Sequence, residues 1–212
     1  VLHAQQSYSI TGLTDLVNHL NWNKTVLHES SDIQGSPYLI EEFTPGEIFF
    51  DGKYRIENVP LRLNLYNGDL EFKEKNTIMA MAEPDRINKV VIGEYTLIYL
   101  KDENAKVHGF VRMWNTDKPA ILTKMETDFF KREPEKPYAE PKLDRFERAT
   151  DKHYLLKSGN EIEKVSSVKK LIQALGDHEK ELSEFAKEQK TSASNIEELV
   201  KLVDYYHSLN QR

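Results

Sequence analysis

The side chains able to move protons or hold metals here are histidines and carboxylates. The chain has seven His, 35 Asp plus Glu and no Cys. Without cysteine, a thiolate nucleophile, a zinc–thiolate centre, a disulfide and a lipidated N-terminal cysteine are all excluded. The histidines are His3, His19, His28, His108, His153, His178 and His207. None falls in an H-x-H or H-E-x-x-H arrangement, so no pair sits at ligand spacing on one face of a strand or helix. His178 and His207 lie in polar helical sequence and are expected to be solvated. Asp102-Glu103-Asn104 is acidic but lacks the glycine and terminal glutamate of a calcium loop, and reads as a turn tip. There is no P-loop and no G-x-G-x-x-G, so no cofactor and no metal is expected.

A G-x-S-x-G nucleophile elbow is also missing, and Ser36 after Gly35 is explained by a turn. Glu71, Glu83, Asp85, Glu94 and Asp128 are the carboxylates available for acid–base work. Their spacing singles out no pair, so no catalytic residue is named. The stretch with most to offer a ligand is the strand-like Lys106–Trp114. Strand alternation puts His108, Phe110, Arg112 and Trp114 on one face, and Val107, Val111 and Met113 on the other. A mixed aromatic and basic face suits an anionic or amphipathic ligand. The preferred reading of the same face is a surface covered by the helices or the proline strap, with Arg112 paired to a carboxylate.

Charge narrows the partners. A net charge of −6 and a pI near 5.7 argue against nucleic acid. No apolar run approaches the roughly 18 residues that a membrane-spanning helix needs. Asn23-Lys24-Thr25 matches a glycosylation acceptor, a pattern common by chance. Leu2-His3-Ala4 before Gln5 looks like the end of a secretory leader, so export to the periplasm or outside the cell is expected.

The elements that must position these residues are mostly strands. Leu61, Leu63 and Leu65 alternate with Arg62 and Asn64, the period of a half-buried strand. Asn67-Gly68 then predicts a two-residue turn and a return strand Asp69–Lys73. In that register Leu65 faces Leu70, Leu63 faces Phe72, Asn64 faces Glu71, and Arg62 stands diagonal to Glu71. Asp51-Gly52 and Gly93-Glu94 predict two more hairpins; Thr77–Ala82 and Ala120–Phe130 read as further strands, and His153–Leu156 as a piece that rejoins the sheet. Earlier, Leu13, Leu16, Val17 and Leu20 have helical spacing, with Thr14 or Thr11 to cap them. The run from Arg132 holds Pro134, Pro137 and Pro141 and is an extended linker or a strap across the sheet. From Ser166 the period becomes helical: Val168, Leu171, Ile172 and Leu175 end at Gly176, Asp177 can cap the next helix, and Ser194-Asn195-Ile196-Glu197 fits a capping box.

GSPYL, EEFTPGEIFFDGKY and VPLRLNLYNGDLEFK together resemble a family of uncharacterised exported β-rich proteins of Gram-negative bacteria. The matching positions are Gly35, Pro37 to Leu39, Leu61 to Tyr66 and Val203 to Tyr206. The resemblance implies export and a β-rich fold, and no activity.

The expected fold is α+β: an antiparallel β meander, as an open sheet or partial barrel, with C-terminal helices. The expected organisation is an N-terminal segment 1–35, a meander 36–131, a proline-rich strap or linker 132–165, and a helical region 166–212 packed on the sheet. The function expected first is a non-enzymatic exported binding or envelope-associated protein whose partner is a small molecule, a lipid or an envelope protein. A partner-binding module acting through the C-terminal helices is the next reading. A hydrolase with a spatially assembled carboxylate or histidine site is the third.

Overall fold

The computed structural model describes residues 6–8, 22–24, 33–50, 54–74, 76–132 and 143–211. The leader-like 1–4, the helical spacing at 13–20, the Asp51-Gly52 turn, Thr25, and the proline-rich segment from 133 to 142 lie outside them.

In chain order the strands are β1 (Gln6–Tyr8), β2 (Trp22–Lys24), β3 (Ile33–Gln34), β4 (Thr44–Phe50), β5 (Tyr54–Leu63), β6 (Leu70–Glu74), β7 (Thr77–Met81) and β8 (Ile87–Ile92). They continue as β9 (Tyr95–Asp102), β10 (Val107–Met113), β11 (Ala120–Lys124), β12 (Thr127–Phe130), β13 (Asp144–Arg148), β14 (Lys152–Leu156) and β15 (Ile162–Lys164). Three helices follow: α1 (Val168–Leu175), α2 (Glu179–Glu188) and α3 (Ile196–Asn210). The fold is α+β, an open, mostly antiparallel sheet with C-terminal helices.

The chain divides into two units. The first is Val1–Tyr99 with Met125–Thr150; the second is Leu100–Lys124 with Asp151–Arg212. Within the first, strands run in the order β8-β4-β5-β6-β7-β2, with β1 parallel on β5. The succession is not strictly consecutive, because β8 returns to pair with β4. A separate small sheet has the order β12-β13-β3. The expected Ala120–Phe130 strand is two strands, broken at Met125-Glu126, and its halves belong to different units.

Alternation builds the first core. Ile48 and Phe50 from β4, Leu61 and Leu63 from β5, Leu70 and Phe72 from β6, and Val90 and Ile92 from β8 are all buried. Each such side chain contributes about 1.5–3 kcal/mol on leaving water. The hairpin forms, but in another register from the one expected. Leu61 pairs with Phe72, Arg62 with Glu71, and Leu63 with Leu70. The turn is longer than two residues: Asn64 N donates to Asp69 O at 2.9 Å and Gly68 N to Asn64 O at 2.9 Å. Asn64 Oδ1 accepts from Tyr66 N and Asn67 N, an Asx-type turn that competes with a tight Asn-Gly corner. The slip is an even one, so the leucines keep their face, and only the partners change.

In the second unit the sheet order is β10-β11-β14-β15. Ile121 of β11 and Leu155 of β14 join a buried cluster with Leu171, Ile172, Leu182, Leu199, Leu202, Val203 and Tyr206 of the helices. Ser167 Oγ accepts from Lys170 N and starts α1, and Gly176 ends it. Asp177 is not the cap of α2: His178 holds that position, left-handed at φ 59°, with no side-chain cap bond. The cap is one residue later than expected, and the box closes through side chains rather than the Asn195 backbone amide, which donates to Ser192 O. Asn195 Oδ1 accepts from Glu198 N and Asn195 Nδ2 donates to Glu198 Oε1.

Candidate functional site

The aromatic–basic face expected on β10 is only partly assembled. Gly109 has φ +100°, a conformation that side-chain-bearing residues rarely adopt, and this breaks the extended phase between His108 and Phe110. His108 is exposed, whereas Phe110 is buried. Arg112 and Trp114 do stay together: the guanidinium carbon lies 3.6 Å from the centre of the Trp114 ring. Trp114 also packs against the helix cluster, so half of this face is cover rather than free surface.

What the sequence did not mark is the cross-strand row behind Trp114. Thr123 pairs with Arg112 on one side and His153 on the other. Trp114 Nε1 donates to Thr123 Oγ1 at 2.9 Å, and Thr123 Oγ1 lies 3.0 Å from His153 Nδ1. Burial lowers the His153 pKa from its ordinary 6.5, against a smaller upward pull from Asp151. A hydroxyl beside an imidazole suggests nucleophilic chemistry, but Thr123 is 1% exposed and out of a substrate's reach. Ser166 and Ser167 precede Lys169 and Lys170 at S-x-x-K spacing; Ser167 spends its hydroxyl as the α1 cap.

Of the five carboxylates named above, Glu71 alone is buried, at 0% exposure. Arg62 donates to its Oε2 from Nε at 3.1 Å and Nη2 at 2.8 Å. The guanidinium is held between Tyr38 and Phe43, with its carbon 3.6 and 4.2 Å from the two ring centres. Glu71 Oε1 has no hydrogen-bond partner among the described residues. Asp69 beside it has a raised pKa, first through burial and then through the Glu71 charge. Glu83 pairs with Arg86, and Asp85, Glu94 and Asp128 are exposed or near the surface. No group of three or more His, Asp or Glu among the described residues could hold a metal ion. His207 is not simply solvated as expected: its Nε2 donates to Pro119 O at 2.9 Å. His178 Nε2 stands 3.3 Å from Asn210 Oδ1. His3, His19 and His28 lie outside the described residues.

The surface that stands out belongs to the first unit. Among the described residues, the large apolar side chains that are exposed are Tyr66 (54%), Phe130 (40%) and Leu143 (38%). All three fall at or beside the small sheet. Thr127 N donates to Leu65 O, which sets β12 against the Asn64–Asp69 turn. Phe129 and Phe146 are cross-strand partners with ring centres 5.0 Å apart. Tyr66 meets them edge-on, at 6.1 and 5.5 Å. Arg145 lies over Phe130 at 5.0 Å and pairs with Glu147. Gly35 allows β3 to close on β13, since a Cβ there would meet Phe146 O at 2.4 Å. The Asx turn and the short sheet therefore hold three rings and a guanidinium in place on strand backbone. Sequence reading missed this site because Tyr66, Phe129 and Phe146 are distant in the chain. The one local signal was Tyr66 at the turn tip, where an apolar ring has no core to enter.

No family model, curated protein or solved structure matches this chain. No described helix is long and apolar enough to cross a membrane.

Proposed function

We propose that this is a non-enzymatic binding protein, exported or envelope-associated, that recognises a protein partner through the aromatic surface around Tyr66. The observation that carries the reading is the rigid three-ring cluster of Tyr66, Phe129 and Phe146, with Tyr66 54% exposed. Preordered aromatic rings beside arginine are the composition that dominates binding energy in protein interfaces, because little side-chain entropy is lost on contact. The resemblance of residues 35–39 and 61–66 to exported Gram-negative proteins supports the location. Replacing Tyr66 and Phe130 by Ser tests it. Far-UV circular dichroism should be unchanged, while capture of a partner from an envelope extract should fall at least tenfold. Equal capture by the double variant overturns the reading.

A second reading, a module acting through the helices, is favoured by a groove of about 340 Å³ between α1 and α2, with Val168, Ile172 and Ala186 in its lining beside Lys169 and Lys187. Charge reversal at Lys169 and Lys187 separates the two readings, since only one of them predicts lost capture. Deleting α3 would not, because Leu199, Leu202 and Val203 belong to the core. The hydrolase reading has least support: the nearest thing to a dyad, Thr123 with His153, is sealed from solvent.

A further inference from the structure

Donor counting fixes the protons in the row Trp114, Thr123 and His153. An indole nitrogen only donates, so Thr123 Oγ1 accepts from Trp114. The threonine proton is then left to give, and among the described residues its one remaining neighbour is His153 Nδ1. Nδ1 must accept, which makes His153 neutral with its proton on Nε2. Protonation puts a hydrogen on Nδ1. Thr123 Oγ1 would then face two donors, and its own proton would have no acceptor at a site 1% exposed.

We propose that this row is a proton-operated latch on the helical layer of the second unit. Trp114 is the moving part. It packs against the helix cluster, and its neighbour Asn115 donates to Asp204 of α3 at 2.6 Å. His207 of α3 donates to Pro119 O in either charge state, so it does not break in acid and keeps one end of α3 tethered. The groups around His153 set the direction. Thr123 faces it from β11 and the apolar Val165 follows from the β15 side, where Val165 N donates to His153 O. Arg112 lies beyond Thr123 on β10, with its guanidinium over the Trp114 ring. Asp151 at the start of its own strand favours one, but less than burial opposes it. The helices present apolar side chains to Ile121 and Leu155, on the strands that carry this row. Below the His153 transition the Trp114 bond is lost and α3 loosens, while the first unit stays folded.

The test is a pH titration of the full chain with ¹⁵N-labelled histidine. At pH 8, His153 should show its proton on Nε2, and its midpoint should lie below 6.5. Over the same range, in a Trp22→Phe background, Trp114 fluorescence should change and hydrogen-exchange protection in Ile196–Asn210 should fall at least tenfold. His153→Asn, whose Oδ1 stands where Nδ1 does and still accepts from Thr123, should remove both transitions. A proton on Nδ1 at pH 8 would overturn the proposal in the unaltered chain, as would protection in α3 that does not follow the His153 midpoint.

Discussion

Among the described residues, Glu71 of the first unit and His153 of the second are each buried against a neighbouring strand, by different means. In the first, Glu71 meets the Arg62 guanidinium, itself clamped between two rings. In the second, His153 meets a hydroxyl that is already occupied by an indole. An ion pair that has left water depends on both partners, because each charge alone is costly there. A neutral hydrogen-bonded row carries less charge and tolerates the loss of one link better, but it responds to protons as pH falls below 6.5. The first arrangement makes a rigid platform, and the second makes a sensor.

The largest effect should come from breaking the ion pair on one side. Arg62→Ala leaves Glu71 buried and unpaired and should cost about 3–5 kcal/mol in urea unfolding. Replacing both, Arg62→Met with Glu71→Leu, should recover most of that loss; if the double variant is no better than the single one, the guanidinium acts mainly through Tyr38 and Phe43 instead. Thr123→Val should cost less, about 1–3 kcal/mol, by stranding the Trp114 donor and the His153 acceptor. A cost equal to that of Arg62→Ala would erase the contrast between the units.

Acid should act on the two regions with opposite sign. His153 has a lowered pKa in the fold, so the unfolded chain binds the extra proton first. Its contribution is complete above 6.5 and is lost as pH falls through the folded value. Asp69 has a raised pKa, so its contribution is complete below 3.8 and is lost as pH rises through the folded value. Between these limits acidification should weaken protection in the second unit before it touches the hairpin of the first, as residue-resolved hydrogen exchange would show. The smallest effect is at a cap: Asn195→Ala should cost about 1 kcal/mol.

Much of the architecture was legible in residues 61–73 because alternation survives an even slip. The choice between Leu63 facing Phe72 and facing Leu70 was not, since both keep the leucines on one side. That choice depended on Asn64 turning its side chain onto the loop amides, an option the Asn67-Gly68 pair overshadowed. The Gly93-Glu94 corner had no such competitor and gave the expected pairing of Ile92 with Tyr95. The helices were read from their stripes, with caps displaced by one residue where Asp177 and Ser194 offered alternatives to His178 and Asn195. On β10 the face was misread at Gly109, since a left-handed residue inside a strand leaves no trace in alternation. The aromatic surface and the His153 row both join residues that are far apart in the chain, and local patterns do not encode such meetings.

The interleaving of the two units constrains how the molecule can be made. The chain leaves the first unit after Tyr99, comes back at Met125, and departs for good after Thr150. A ribosome must therefore extrude Leu100–Lys124 well before the strands and helices that will shelter it exist, and a nascent-chain chaperone would find its apolar Phe110, Val111 and Ile121 waiting there. No single cut parts the halves cleanly: one after Thr150 keeps all of the first unit on one piece but strands Leu100–Lys124 within it, so stop codons and proteases that strike there would orphan β10 and β11.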